Sequence, residues 1–163
     1  MAFTPLIAIP VTERSAEAGV GMGRARYSGA GRAAFALLRN LASAGTLPSS
    51  VDVIRRADGR LLIATVRGAL DAAIAPSLRE LLLRLVHASE GRLIVDLSAV
   101  TSADVNGLTV LVGTGRRASL LGGLLGLAGP SAPVVSLLAA TGLDRQLSVF
   151  PSMEAAVAGV GSR

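Results

Sequence analysis

The pattern of apolar and polar positions becomes regular at Val51 and predicts a β-hairpin first. Apolar and polar residues alternate over 51–53, Ile54 follows, and Asp58-Gly59 is a typical hairpin turn pair. The returning strand, predicted over 61–66, is apolar on both faces. A strand of that kind is buried on both sides, so we expect it at the centre of a sheet.

Helices and strands then alternate to the end of the chain. The predicted elements are helices over about 74–87, 108–120 and 132–140, strands over 92–97, 124–128 and 147–150, and a short terminal helix through Val157. The apolar residues of the first helix recur at helical spacing on one face. This order predicts one α/β sandwich with a mostly parallel β-sheet, an N-terminal β-hairpin and helices packed on the sheet.

Residues 1–50 differ from the rest in being rich in Ala, Gly, Arg and Ser, with no strand pattern. One helix can form over 32–43, and its apolar face would carry Phe35, Leu37, Leu38 and Leu41. We expect residues 1–50 to be a disordered or loosely attached tail. A start codon placed too far upstream, with Met22 as the alternative start, would equally account for this segment. The alternative to both is a functional arm. The domain itself is predicted over 51–158, with 159–163 as a C-terminal tail.

Composition excludes several classes of function. The 163 residues include no cysteine, which excludes disulfides and thiol catalysis, and one histidine, His87, which argues against a His-rich metal site. Only three Phe and one Tyr are present, too few for a surface that stacks nucleic-acid bases. The net charge is +5, and every basic residue is arginine. Residues 51–163 are nearly balanced, with eleven Arg and nine acids. We therefore expect no nucleic-acid partner.

One uncharged run, residues 118–143, is long enough to span a bilayer. It contains several glycines and prolines, and Gly129-Pro130-Ser131 in its middle is typical of a turn between two elements. We therefore predict two short buried elements and no direct membrane insertion. The N-terminus lacks a basic region before its apolar residues, so no secretory signal is predicted and a cytoplasmic location is expected.

The sequence contains no recognisable catalytic set. Asp71, Asp96 and Asp104 are predicted near strand ends, and three carboxylates can hold magnesium. Asp104, however, stands at a helix start, where capping is the favoured role. No phosphate-binding loop or nucleophile elbow is present. We predict no catalytic residue, no metal and no cofactor, and keep a ligand-binding or enzymatic domain at the Asp71–Asp104 end as the least favoured hypothesis.

A series of short stretches, in order and at matching spacings, resembles a STAS domain and more narrowly the bacterial anti-sigma factor antagonists. The stretches are 68–71, 75–78, 93–100, Asp104 with Gly107-Leu108, 129–131, 141–144 and 149–152. The resemblance covers about residues 51–158 and leaves residues 1–50 unexplained.

The resemblance implies a binding switch without catalysis. A family antagonist binds an anti-sigma factor, a protein with a serine-kinase-type ATP site, and so releases a sigma factor for transcription. The partner-binding residues that the resemblance implies are Asp71, Asp104, Val105, Asn106, Gly107 and Leu108. It leaves the oligomeric state open.

The sequence departs from the family at the switch itself. The family pattern is Asp-Ser-Ser-Gly-Leu, and its first serine is phosphorylated, which adds negative charge at the interface. Here Asp104 and Gly107 match, but Val105 stands at the phosphoacceptor position and Asn106 at the second serine. Because valine has no hydroxyl, the family phosphoswitch cannot operate there. Ser102 is the nearest substitute, and a weak one.

The third helix is a second departure, because residues 134–140 contain no charge where family members usually carry charges. An apolar outward face indicates a partner surface, with drift in an Ala-rich proteome as the alternative. Together with the missing phosphoacceptor, it keeps a second function open: a STAS scaffold or sensory subunit of a larger signalling or lipid-transport assembly.

Overall fold

The computed structural model of the chain describes residues 51–55 and 61–161. The predicted turn at Asp58-Gly59 and the predicted helix over 32–43 lie outside these residues. The strands are β1 (Val51–Arg55), β2 (Leu62–Leu70), β3 (Arg92–Ala103), β4 (Leu124–Ala128) and β5 (Ser148–Phe150). The helices are α1 (Ala75–Ala88), α2 (Val105–Leu120), α3 (Ala132–Thr141) and α4 (Met153–Gly161), with a 3₁₀ turn at Leu143–Arg145.

The strands form one five-stranded sheet in the order β1-β2-β3-β4-β5. β1 pairs antiparallel with β2, and β2 to β5 are parallel to one another. A helix follows each of the parallel strands, as the alternation of apolar runs predicted. The predicted α/β class with a mostly parallel sheet is confirmed.

The two faces of the sheet are covered unequally. The larger core packs α1, α2 and α3 against one face, through side chains such as Leu62 of β2 and Leu93 of β3. The smaller core lies on the opposite face of the sheet. Ile63 and Ile94 point to this face, and α4 packs on it. Neighbouring residues of one strand point to opposite faces, so the two cores share the same strands.

The third strand is longer than predicted, and the following helix begins earlier. β3 was predicted over 92–97 but continues to Ala103, and α2 begins at Val105 rather than at residue 108. The sequence Ser98–Ala103 is rich in small polar residues, which is typical of a turn. It forms a strand because β2 also continues, to Leu70, and supplies backbone partners for it, while Val100 is buried.

The extra length gives the molecule a projecting tip. β4 pairs only with residues 92–96 of β3, so the last seven residues of β3 project beyond β4 with β2 alongside. At about 3.3 Å per residue this projection measures roughly 23 Å. The loops that follow β2 and β3 are therefore carried away from the rest of the sheet.

The uncharged run over 118–143 forms the end of α2, the mostly buried strand β4 and the whole of α3. Among the described residues, no helix is long and apolar enough to cross a membrane.

Candidate functional site

The two loops of the predicted site meet at the projecting tip. Leu70 and Ala103, the last residues of β2 and β3, are register partners, which places Asp71 and Asp104 side by side in the sheet order. The backbone N–H of Asp104 donates to the carbonyl of Leu70 at 3.0 Å. The pairing of the two strands thus continues into the loops that leave them.

The carboxylate of Asp104 joins these two loops. Its Oδ1 accepts a hydrogen bond from the backbone N–H of Gly107 at 2.9 Å, and its Oδ2 accepts one from Ala72 at 3.0 Å. Asp104 is extended and occupies the N-cap of α2. The structure therefore shows the predicted capping role of Asp104. Its one side chain fixes both the start of α2 and the loop before α1.

Gly107 lets α2 approach the end of β2 more closely than any other residue could. A Cβ atom at position 107 would lie 2.3 Å from the carbonyl oxygen of Leu70 and 2.7 Å from its carbonyl carbon. Both are backbone atoms, which cannot move aside by a change of rotamer. Glycine is thus required by the contact between helix and strand.

Asp71 shapes its own loop in the same manner. Its Oδ1 accepts hydrogen bonds from the backbone N–H groups of Ala73 at 3.0 Å and Ile74 at 3.3 Å. Its carbonyl accepts from Ala75, the first residue of α1. Both carboxylates at the tip are therefore engaged with backbone donors, which fixes the shape of the two loops.

The predicted partner-binding residues divide into exposed and buried members. Val105 is 51% exposed and Asn106 is exposed, and both lie in the first turn of α2. Gly107 and Leu108 are buried, and Leu108 belongs to the larger core. The buried pair positions the helix, and the exposed pair is what another molecule can contact.

The tip also exposes residues that sequence reasoning missed. Ala72 and Ala73 are exposed in the loop after β2, and Thr109 is exposed one turn along α2 from Val105. The Thr109 hydroxyl donates to the carbonyl of Val105 at 2.7 Å. We call Ala72, Ala73, Val105, Asn106 and Thr109 the tip surface. The position of Ala72 and Ala73 directly after Asp71 was the signal that could have found them.

The tip surface carries no charged side chain, and its two carboxylate neighbours are only partly exposed. The exposed side of α2 becomes basic further on, at Arg116 and Arg117. An uncharged patch with an exposed valine is suited to contact another protein, since the centres of protein interfaces are depleted in charge.

Asp96 is not part of this site. It pairs with Ala128 in the middle of β3, eight residues before Asp104, a separation of about 26 Å along the strand. Its Oδ1 accepts from the N–H and the hydroxyl of Ser98. Within the described ranges, no group of three His, Cys, Asp or Glu side chains could hold a metal ion. The alternative of a three-carboxylate magnesium site is therefore not supported.

Ser102 lies on β3 and is exposed, two residues before the N-cap of α2. It is a strand residue whose register partner is Ala69, whereas Val105 begins the helix. The two positions thus belong to different elements, and Ser102 does not reproduce the position of the family serine.

Removing the Asp104 carboxylate tests its capping role. We expect Asp104→Ala to lower the free energy of unfolding by about 1–2 kcal/mol, because the amide of Gly107 at the start of α2 loses its acceptor. Asp104→Asn keeps one acceptor oxygen and should lose less than half as much. Urea unfolding of the three proteins measures both effects. Equal midpoints for Asp104→Ala and the natural chain would rule out the cap as a source of stability.

Comparisons with known proteins identify the family and agree with the fold. A family model described as the STAS domain matches residues 52–156. An anti-sigma factor antagonist from Mycobacterium paratuberculosis is 26% identical, with a TM-score of 0.56 over 71% of this chain and 97% of that one. A Thermotoga maritima protein described as a candidate anti-sigma factor antagonist is 23% identical, with a TM-score of 0.58 over 63% of this chain and 88% of that one.

The same fold occurs inside a larger protein. The murine Solute Carrier 26 family member A9 anion transporter is 21% identical, with a TM-score of 0.53, over 64% of this chain and only 18% of the transporter. A comparison with curated protein sequences gives no match.

Proposed function

Because the chain belongs to the STAS domain family, we propose that it is a protein-binding module of the anti-sigma factor antagonist kind. It binds an anti-sigma factor of the serine-kinase type and so regulates transcription that depends on a sigma factor. The likeness to the Mycobacterium paratuberculosis antagonist, which spans 97% of that protein, supports this assignment over other uses of the fold. The proposal implies a bacterial, cytoplasmic protein that has no catalytic activity and no cofactor.

The observation that carries the proposal is the structure of the projecting tip, where the loops after β2 and β3 meet. The carboxylate of Asp104 and the missing side chain of Gly107 fix the first turn of α2 against the end of β2. This arrangement exposes Val105 and Asn106 to solvent. We propose that these two residues, with Ala72 and Ala73 beside them, contact the anti-sigma factor.

The same geometry supports binding without the family phosphoswitch. Val105 stands where the family carries its phosphorylated serine, and its side chain offers no acceptor oxygen. The neighbouring Thr109 hydroxyl is hydrogen-bonded to the carbonyl of Val105, within its own helix. We propose that phosphate is not added at the tip surface, and that abundance of the protein or a further protein controls the complex.

A second candidate function is a scaffold or sensory subunit of a larger signalling or lipid-transport assembly. Its specific support is α3, which has no charged residue and leaves Val135 half exposed while Val134 and Leu138 are buried. The occurrence of the fold inside the murine anion transporter agrees with this candidate at the level of fold alone.

Affinity purification of the full chain from its own cells, with mass spectrometry, separates the two candidates. We expect recovery of a protein with a serine-kinase-type ATP site, with no phosphate on residues 95–110. Asn106→Arg at the tip surface should abolish recovery, and Val135→Arg on α3 should leave it unchanged. The second candidate would be favoured, and the first contradicted, if the natural chain recovered membrane-associated proteins and only Val135→Arg abolished that recovery.

A further inference from the structure

One edge of β3 has no partner strand along the projecting tip. On one side β3 pairs with β2 as far as Ala103, but on the other side β4 pairs with it only as far as Asp96. The loop after β4 adds one contact, in which the N–H of Ser131 donates to the carbonyl of Leu97 at 3.2 Å. Beyond that contact no strand of the described residues continues the pairing. We call residues 98–103, on this side of β3, the open edge.

The open edge is accessible to solvent. Ser98, Ala99, Thr101 and Ser102 are exposed, whereas Val100 is buried in the larger core. A strand directs the N–H and C=O groups of alternate residues to its two sides, and only one side of this strand is occupied by β2. The backbone groups on the other side are therefore available to a further extended segment.

The open edge lacks the side chains that usually prevent pairing with another chain. Natural proteins protect exposed edge strands with charged residues, prolines, bulges or a covering element. Residues 98–103 contain neither a charge nor a proline. The register with β2 shifts between Gly68 and Ala69, so Thr101 is an extra residue on β3. Such a bulge increases the local twist, which limits an added strand to a few residues.

We propose that the open edge binds a short extended segment of the anti-sigma factor by β-strand addition. The inference rests on the proposed function, because it names a second contact of the partner that docks on the tip surface. Ala103 is separated from Val105 by Asp104 alone, and the two positions are about 7 Å apart along the chain. A protein seated on Val105 and Asn106 therefore lies beside the open edge.

The chemistry of the open edge indicates what kind of segment it binds. Backbone hydrogen bonds hold an added strand, and they require no particular sequence. The exposed side chains beside that strand, those of Ala99, Thr101 and Ser102, are small and uncharged. They leave space for the side chains of the segment but form no ion pair with them. We therefore expect a segment with little charge and a high content of β-branched residues.

Hydrogen exchange of the full chain tests the proposal without any substitution. The chain is measured alone and with the serine-kinase-type anti-sigma factor recovered in the purification described above. Binding should slow the exchange of two or three amides of residues 98–103 at least about tenfold, because these amides gain acceptors. The amides of β5, an edge strand of the same sheet, should be unchanged.

The exchange pattern separates this inference from the proposed function. Slower exchange over residues 104–109 alone would leave docking at the tip surface in place and overturn strand addition. Failure of the natural chain to bind the anti-sigma factor would contradict both.

A charged substitution tests the same contact by affinity. Thr101→Lys places on the open edge the residue that natural proteins use to block edge pairing, and it should weaken binding about tenfold. Val149→Lys is the matched control, because it adds the same charge at an exposed position of another edge strand. It should bind as the natural chain does. Equal affinity of the two variants would overturn the proposal.

Sedimentation of the chain alone tests whether a second copy occupies the open edge. We expect the natural chain and Thr101→Lys to have the same mass in solution. A dimer of the natural chain that Thr101→Lys dissociates would show that a second copy pairs with β3, and would overturn the anti-sigma factor as the occupant.

Discussion

Replacing Gly107 with alanine is expected to lower the free energy of unfolding by about 3–5 kcal/mol, the range of severe steric and backbone changes. The added Cβ would meet the carbonyl oxygen of Leu70 at 2.3 Å, and that oxygen belongs to the last residue of a buried strand. Relief requires α2 to move away from β2. That movement would also stretch the bond between Gly107 N–H and the Asp104 carboxylate.

Gly113→Ala is the matched control, because it makes the same change in the same helix. A Cβ at position 113 has no other atom within 4 Å, and the residue is exposed. Alanine there should raise stability by about 0.5–1 kcal/mol through better helix propensity. Chemical unfolding of both variants measures the contrast. A Gly107→Ala protein as stable as Gly113→Ala would show that the close approach of α2 to β2 is not a constraint.

The second large effect is expected on binding. Val105→Asp should weaken the complex with the anti-sigma factor at least about 100-fold, the effect of losing one central contact of an interface. It replaces a half-exposed apolar side chain with a charge that the complex would have to desolvate. Folding should be retained, since an acidic residue in the first turn of a helix is favourable to the helix dipole. Titration of the purified partner with natural and variant chains measures the change.

Leu120→Asp provides the control at the other end of the same helix. Leu120 is 78% exposed and lies fifteen positions from Val105, about 22 Å along the axis. Leu120→Asp adds the same charge to the same helix as Val105→Asp, so general electrostatic repulsion would affect both variants. We expect unchanged affinity for Leu120→Asp. Equal weakening by the two substitutions would mean that net charge, rather than the tip surface, determines binding.

Hydrophobic patterning was sufficient for the order of elements, and the local sequence was sufficient for one residue of the tip. Asp104 was predicted as a cap from its place before a helix, and the structure gives it the Gly107 amide as a partner. That prediction rests on short-range backbone chemistry, which the local sequence determines.

The parts that could not be predicted depend on contacts between distant segments. The strand character of Ser98–Ala103 comes from pairing with β2, some thirty residues earlier, and no local pattern of apolar residues signals it. The bond from Ala72 N–H to Asp104 likewise joins loops that only the sheet register brings together.

The central claim is that the tip surface retains docking to an anti-sigma kinase and lacks the switch at Val105. The most direct measurement is the affinity of the natural chain and of Val105→Ser for that kinase, before and after incubation with ATP. The natural chain should bind equally in both conditions and gain no phosphate. Val105→Ser should gain one phosphate at position 105 and bind more weakly after ATP. Release of the natural chain by ATP, with phosphate on it, or failure of the natural chain to bind in either condition, would contradict the account.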